Sequence, residues 1–272
     1  MNGGQARLTP AADATAARWI VEGVRDFDFT VGSIVPACFE AYARVFHPAG
    51  LGGDDHPEPV RWAQVAAANG RTMHPVVEWG SLTGGWGLSG QDGLWDQEPE
   101  TGSLDSRFAA PLAAALAAHT ATPERCWFAV WEGDSEGEVW LIFAEPGTAE
   151  RARREGEEQR EQARRLRRAA ARFTLPGRPM ELYSAPLAAI ADPDFLEPIR
   201  RGGSSPNLWW PEDRAWCVGS EIDLMTTYVG GTRACIEAIL AEPALEALPA
   251  SVDQRVTWDA DMINPLPAPP GG

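Results

Sequence analysis

SSPNLWWPEDRAWCVGSEIDLMTTYVGGTR, residues 204–233, is the stretch around which the rest of the chain is arranged. Ser204 to Pro211 holds two Pro, two Ser and an Asn, a composition that predicts an irregular segment with Trp209 and Trp210 on a loop or its edge. Arg214 to Val218 is β-prone. After Gly219-Ser220, residues Ile222 to Val229 alternate in the period of a strand, so a hairpin with its turn near Gly219 and Ser220 is expected. Gly230-Gly231 ends the second strand, and Thr232 is a good N-cap. Cys235, Ile236, Ile239 and Leu240 then recur at helical spacing.

Three kinds of chemistry are conceivable in this stretch. Glu212, Asp213, Glu221 and Asp223 form a carboxylate set with Arg214 among them and Trp rings alongside. Paired carboxylates beside aromatic faces suit glycoside or other hydrolysis, one acid protonating and one base or nucleophile attacking. Glu221 and Asp223, two apart on a strand, would share a face. The competing reading closes a turn with an Asp213–Arg214 ion pair and puts the Trp rings in the core. The second chemistry is anion binding. Gly230, Gly231 and Arg233 at a helix start offer unpaired N–H groups and a positive charge to a phosphate or nucleotide. The segment lacks the dinucleotide fingerprint and the Lys of a P-loop, and paired glycines also serve tight turning and close packing. The third is partner binding, with Trp209, Trp210, Glu212 and Arg214 as an acidic, Trp-rich surface.

Composition narrows the choice. The chain has 272 residues, 44% apolar and 23% charged, with a formal charge of -16 and a pI near 4.7. Such a surface repels polyanions, so nucleic acid and anionic membranes are poor partners, and basic proteins or small molecules are better ones. All basic residues are Arg, which removes Schiff-base and P-loop Lys chemistry. Cys38, Cys126, Cys217 and Cys235 are widely spaced with no C-x-x-C, a pattern of free thiols in a reducing cytosol. There is no signal-peptide core and no long apolar run, so a cytoplasmic location is expected. None of the four His has metal-site spacing; no metal and no cofactor are expected.

Elsewhere, Thr9-Pro10 reads as the start of a helix carrying Trp19, Ile20 and Val21, and Thr30 to Val35 as a strand. Phe39 to Phe46 fits helix and strand almost equally; the bracketing prolines favour strand. His47 follows it directly, near Arg44 and Tyr42, as a general base or as a simple element end before Pro48. Val60 to Asn69 and Ser106 to His119 are helical. Cys126 to Trp131 and Val139 to Ala144 read as a β-hairpin. Thr148 to Phe173 carries nine Arg and five Glu with several i,i+4 pairs, an exposed, self-stabilised helix. Its Arg-rich half offers a surface to an acidic partner, and a solvated linker is the plainer reading. A Pro/Gly turn at Phe173 to Pro179, a strand at Met180 to Tyr183, a helical turn at Pro243 to Pro249 and a strand at Arg255 to Trp258 complete the pass.

WWPEDRAWCVGSEIDLMTTYVGG at 209–231, PACFEAYARVFHPAG at 36–50 and CWFAVWEG at 126–133 resemble a group of uncharacterised proteins from GC-rich actinobacteria. The resemblance covers most of the chain and implies one folding unit; it carries no activity. The expected fold is α+β, a mostly antiparallel or mixed sheet with flanking helices and one exposed Arg/Glu-rich helix. Residues 1–147 form an N-terminal part, 148–173 the charged helix or linker, 174–258 a C-terminal part completing the same fold, and 259–272 a disordered tail. The expected function is that of a non-enzymatic binding protein with an acidic Trp-rich surface. The alternatives are a small-molecule hydrolase using Asp213, Glu221 or Asp223 with His47, and phosphate or nucleotide binding at Gly230–Arg233.

Overall fold

A computed structural model describes residues 8–53, 57–135, 149–197, 199–200 and 204–267. The strands are β1 (Thr9–Pro10), β2 (Ala41–Phe46), β3 (Ala49–Leu51), β4 (Glu58–Val60), β5 (Cys126–Trp131), β6 (Ala171–Leu175), β7 (Arg178–Ala185), β8 (Leu208–Pro211), β9 (Cys217–Ser220), β10 (Thr226–Gly231) and β11 (Ala247–Ala250). The helices are α1 (Arg18–Gly23), α2 (Trp62–Ala68), α3 (Trp79–Thr83), α4 (Ser106–Ala117), α5 (Ala149–Ala169) and α6 (Arg233–Leu240). Nine strands make one sheet in the order β1-β7-β5-β8-β9-β10-β2-β11, with β6 also on β7, and β3–β4 is a separate hairpin. All these pairings are antiparallel, and the class is α+β. Strands from the first 131 residues and from the C-terminal half interleave in the one sheet.

The sheet is buried on both faces. Val45, Phe128, Tyr183, Trp209, Val218 and Val229 point to one face, where α4 and α6 cover them. α4 does so through Ala109, Leu112, Ala113 and Leu116, spaced as one helical stripe, and Asp105 caps its start by accepting from the Arg107 N–H at 2.8 Å. Tyr42, Ala129, Leu182, Trp210, Cys217 and Tyr228 face the other side, under α1 and the Val31–Val35 segment. Beyond the end of β2 a third cluster stacks Phe46, Trp62, Trp79 and Trp95 with successive ring centroids 4.9, 5.3 and 5.1 Å apart.

Several sequence expectations are corrected. Trp209 and Trp210 lie in β8, 0% and 1% exposed, one on each face, so they form core and no surface. Pro211 is tolerated because it ends the strand. The β9–β10 hairpin exists, but its turn is 221–225 and its second strand starts at Thr226. Thr9-Pro10 pairs with β7 as a strand, and Val31–Ser33 is a single 3-10 turn. Residues 139–144 lie outside the described residues, and β5 has β7 along one edge and β8 along the other. Phe173 belongs to β6, which turns through Gly177 into β7. Ala247–Ala250 is a strand on β2, where a helical turn was expected, and the 255–258 strand reduces to one bridge, Thr30 to Arg255. Residues 261–264, placed by the sequence reading in a disordered tail, are tied to the body of the fold. Asn264 exchanges hydrogen bonds with the Thr72 backbone at 2.8 and 2.9 Å, and Asp261, 1% exposed, meets His74 at 2.9 Å.

α5 is the expected charged helix. Its side chains are largely exposed where described, and Arg165 donates to Glu161 at 3.1 Å one turn back. Its C-terminal end is tied down: Arg167, with Arg172 of β6, reaches the buried Glu181 carboxylate at 3.4 and 3.3 Å.

Candidate functional site

The described carboxylates of the 204–233 stretch do not converge. β8 and β9 run antiparallel, so the 212–216 turn lies at one end of β9 and the 221–225 turn at the other, separated by four residues of strand, or roughly 13 Å. At the first end, Glu212 accepts the Trp127 indole N–H at 2.6 Å. Asp213 accepts from the Thr120 hydroxyl at 2.8 Å and the Ala121 N–H at 2.7 Å. Arg214, with φ 59, lays its guanidinium over the Trp19 ring at 5.7 Å from the centroid, so the expected Asp213–Arg214 closure is replaced by two separate contacts. At the far end Glu221 is buried against Arg178, and Asp223 is exposed on the turn. A depression beside Glu221 and Arg178 has about 10 Å³, space for one water at most. Two carboxylates flanking one substrate bond are not present here.

The glycine step before α6 is a packing device. A Cβ on Gly230 would lie 2.4 Å from the Phe39 ring, so Gly is required for that close approach. The helix start is also occupied from within. The Thr232 hydroxyl accepts from Cys235 N–H at 3.2 Å, and the Glu40 carboxylate accepts from Arg233 N–H at 3.0 Å. An anion brought to Gly230, Gly231 and Arg233 would meet that carboxylate.

His47 lies elsewhere, at the end of β2, and is 1% exposed. Its Nδ1 is 2.6 Å from the Glu100 carbonyl oxygen, which can only accept, so Nδ1 carries the proton. Nε2 therefore accepts from the Thr227 hydroxyl at 2.8 Å, and the Thr227 oxygen in turn accepts from the Ser220 hydroxyl at 2.7 Å. Burial holds the imidazole down to about 4, with the Arg44 charge adding to it against the Glu100 carbonyl. The ring is neutral with both nitrogens engaged. It braces the 97–105 segment against β10 and is not free to take a proton from a ligand.

That brace forms the floor of a cleft of about 160 Å³. Its walls are the β3–β4 hairpin, the 97–100 segment and the first turn of α4, and they bring Glu98, Glu100 and Asp105 to one opening with Arg107 and Phe108. Arg107 is already engaged. It donates to both Asp105 oxygens at 2.9–3.1 Å and to the Pro57 carbonyl at 3.0 Å, which fixes the wall. Glu98 is positioned by the Trp79 indole N–H at 3.3 Å, at the end of the aromatic stack. Each of the three carboxylates has a partner within the fold: Asp105 pairs with Arg107, Glu98 accepts from Trp79, and Glu100 accepts from the Ser103 hydroxyl at 3.5 Å. Among the described residues no group of three or more His, Cys, Asp or Glu is disposed to hold a metal ion. Sequence reasoning singled out His47 and missed Glu98, Glu100 and Asp105, which stand in a stretch with no periodic pattern.

No protein family, curated protein or solved structure matches the chain.

Proposed function

We propose that the protein is a non-enzymatic binding protein and that the cleft over His47 takes a small organic cation, an ammonium or guanidinium group. The observation that carries this reading is the cleft itself: a fixed opening of about 160 Å³ with three carboxylates on its walls. That volume is below the range of drug-sized pockets and suits a compact head group. The charge of -16 steers cations toward it from a distance. The separation of the 204–233 carboxylates and the engagement of both His47 nitrogens weigh against hydrolysis, and Glu40 at the α6 start weighs against phosphate binding. All four cysteines are free, three of them buried, which supports residence in a reducing compartment such as the cytoplasm. No helix among the described residues is long and apolar enough to cross a membrane.

The test is a thermal-shift comparison of guanidinium compounds and polyamines with organic anions, on the wild type and on Glu98→Gln/Glu100→Gln. A cation at a hundred times its Kd adds about 2.7 kcal/mol, a rise of roughly 5–10 °C for a chain of this size. The rise should be absent in the variant. Anions producing it, or cations producing it equally in both proteins, would contradict the reading.

A further inference from the structure

The cleft over His47 carries a cation of its own. Arg107, on the first turn of α4, lines it together with Glu98, Glu100 and Asp105. A guanidinium has five N–H donors in a fixed fork. The Arg107 Nε–H is shared between the two Asp105 oxygens at 3.1 Å, one Nη2–H goes to Asp105 Oδ2 at 2.9 Å, and one Nη1–H goes to the Pro57 carbonyl at 3.0 Å. The second N–H of each terminal nitrogen has no partner among the described residues, and the side chain is 41% exposed. Phe108 lies under the guanidinium, its ring centroid 5.7 Å away. A fork held by a carboxylate, a carbonyl and a ring is already ordered, so a further carboxylate meets its open donors at little cost in side-chain freedom.

The same cleft offers an anion. Glu98 accepts from the Trp79 indole N–H at 3.3 Å and makes no ion pair among the described residues. That neutral donor fills one of about four acceptor positions on the carboxylate and cancels none of its charge. Glu98 and Arg107 thus stand on one cleft with unused capacity of opposite sign. A plain cation leaves the open Arg107 donors unused. A plain anion is opposed by Glu98 and by a body of charge -16. A molecule carrying both charges uses both walls and has no net charge to be repelled.

We infer that the ligand of the cleft is a small zwitterion, with an ammonium or guanidinium group on Glu98 and a carboxylate on the open donors of Arg107. The inference rests on the cation reading of the cleft and adds the second charge of the ligand. The probes are ω-amino acids of increasing chain length, beginning with glycine, each paired with its methyl ester, which keeps the ammonium and lacks the carboxylate. They are titrated calorimetrically into the wild type, Arg107→Met, Arg107→Lys and Glu98→Gln/Glu100→Gln. At least one amino acid binds the wild type about tenfold or more tightly than its ester. Arg107→Met erases that advantage, while its affinity for the ester holds or rises because Asp105 is released. Arg107→Lys, which keeps the charge without the fork, retains only part of the advantage. Both variants keep the start of α4, since Asp105 caps it through the backbone N–H of residue 107. Esters binding the wild type as tightly as their amino acids throughout the series, or an advantage that survives in Arg107→Met, would overturn the inference. The cation reading would still stand in either case if ester binding is lost in Glu98→Gln/Glu100→Gln. If neither amino acids nor esters bind the wild type, both readings fall.

Discussion

Arg44 is a buried cation held by backbone carbonyls, a carboxylate and aromatic rings together. It is 2% exposed, donates to the Pro75 and Val77 carbonyls and to Glu78 Oε1 at 3.0, 2.8 and 3.0 Å, and lies within 6.0 Å of the Phe46, Trp62 and Tyr228 ring centroids. Removing one member of a buried pair strands the other, so Arg44→Met should lower the unfolding free energy by about 3–5 kcal/mol, read by denaturant titration. A smaller loss than from an exposed Arg such as Arg18 would contradict that role. Burial also drives Glu78 up to about 7, more than the Arg44 charge pulls it back, while His47 falls to about 4. The native state thus holds a proton on Glu78 that the unfolded chain releases, and stability falls as pH rises from about 4.5 to 7. His47 does the reverse: the unfolded chain takes up a proton the native ring refuses, and stability falls as pH drops from about 6.5 to 4. The two oppose each other between about pH 4.5 and 6.5. Relative to the wild type, Tm in His47→Gln should decline more with rising pH, and Tm in Glu78→Gln should climb more. Parallel pH profiles for all three proteins would contradict both assignments. His47 drew attention in the sequence as a candidate base. Its burial depends on Glu100 and Thr227, 53 and 180 residues away, which no local pattern reveals.

At the scale of elements, what local chemistry specifies was legible and what neighbours specify was not. Thr232 as the cap of α6, the Ser106 helix and the self-paired α5 depend on residues a turn apart, and all three are present, α4 and α5 ending at Ala117 and Ala169, short of the His119 and Phe173 expected. The β9–β10 hairpin was legible too, with its turn misplaced. Its strands are buried on both faces, so alternation marks no inner side, and the alternating Ile222 and Leu224 belong to the turn. For Trp209 and Trp210 the core reading of the rings holds, and the loop and surface reading, which rested on the flanking prolines, does not. As β8 they anchor opposite cores, Trp209 meeting Trp216 at 5.6 Å and Trp210 meeting Trp19 at 6.3 Å between ring centroids. Trp209→Ala should therefore cost about 3–5 kcal/mol of stability in denaturant titration, behaving as a core deletion. A fully stable Trp209→Ala protein that had lost only a partner would restore the surface reading. The start of α2 shows the long-range case: the Glu246 carboxylate accepts from the Trp62 and Ala63 N–H groups at 2.6 and 2.8 Å across 184 and 183 residues of chain.

Across the whole molecule, one antiparallel sheet is covered on both faces, and the cleft opens beside the end of β2. The acidic balance of the chain is legible in its composition alone and favours basic partners. The cleft was illegible in sequence because Glu98 and Glu100 sit on an unpatterned segment and meet Asp105, the cap of α4, only when the end of β2, the β3–β4 hairpin and the start of α4 are assembled. The central claim is that this convergence receives a cation. Calorimetric titration of a guanidinium or polyamine compound into the wild type and into Glu98→Gln/Glu100→Gln tests it most directly. The account predicts one saturable site in the wild type, weakened by salt and lost in the variant. Equal binding by both proteins, or no saturable binding by the wild type, would contradict it.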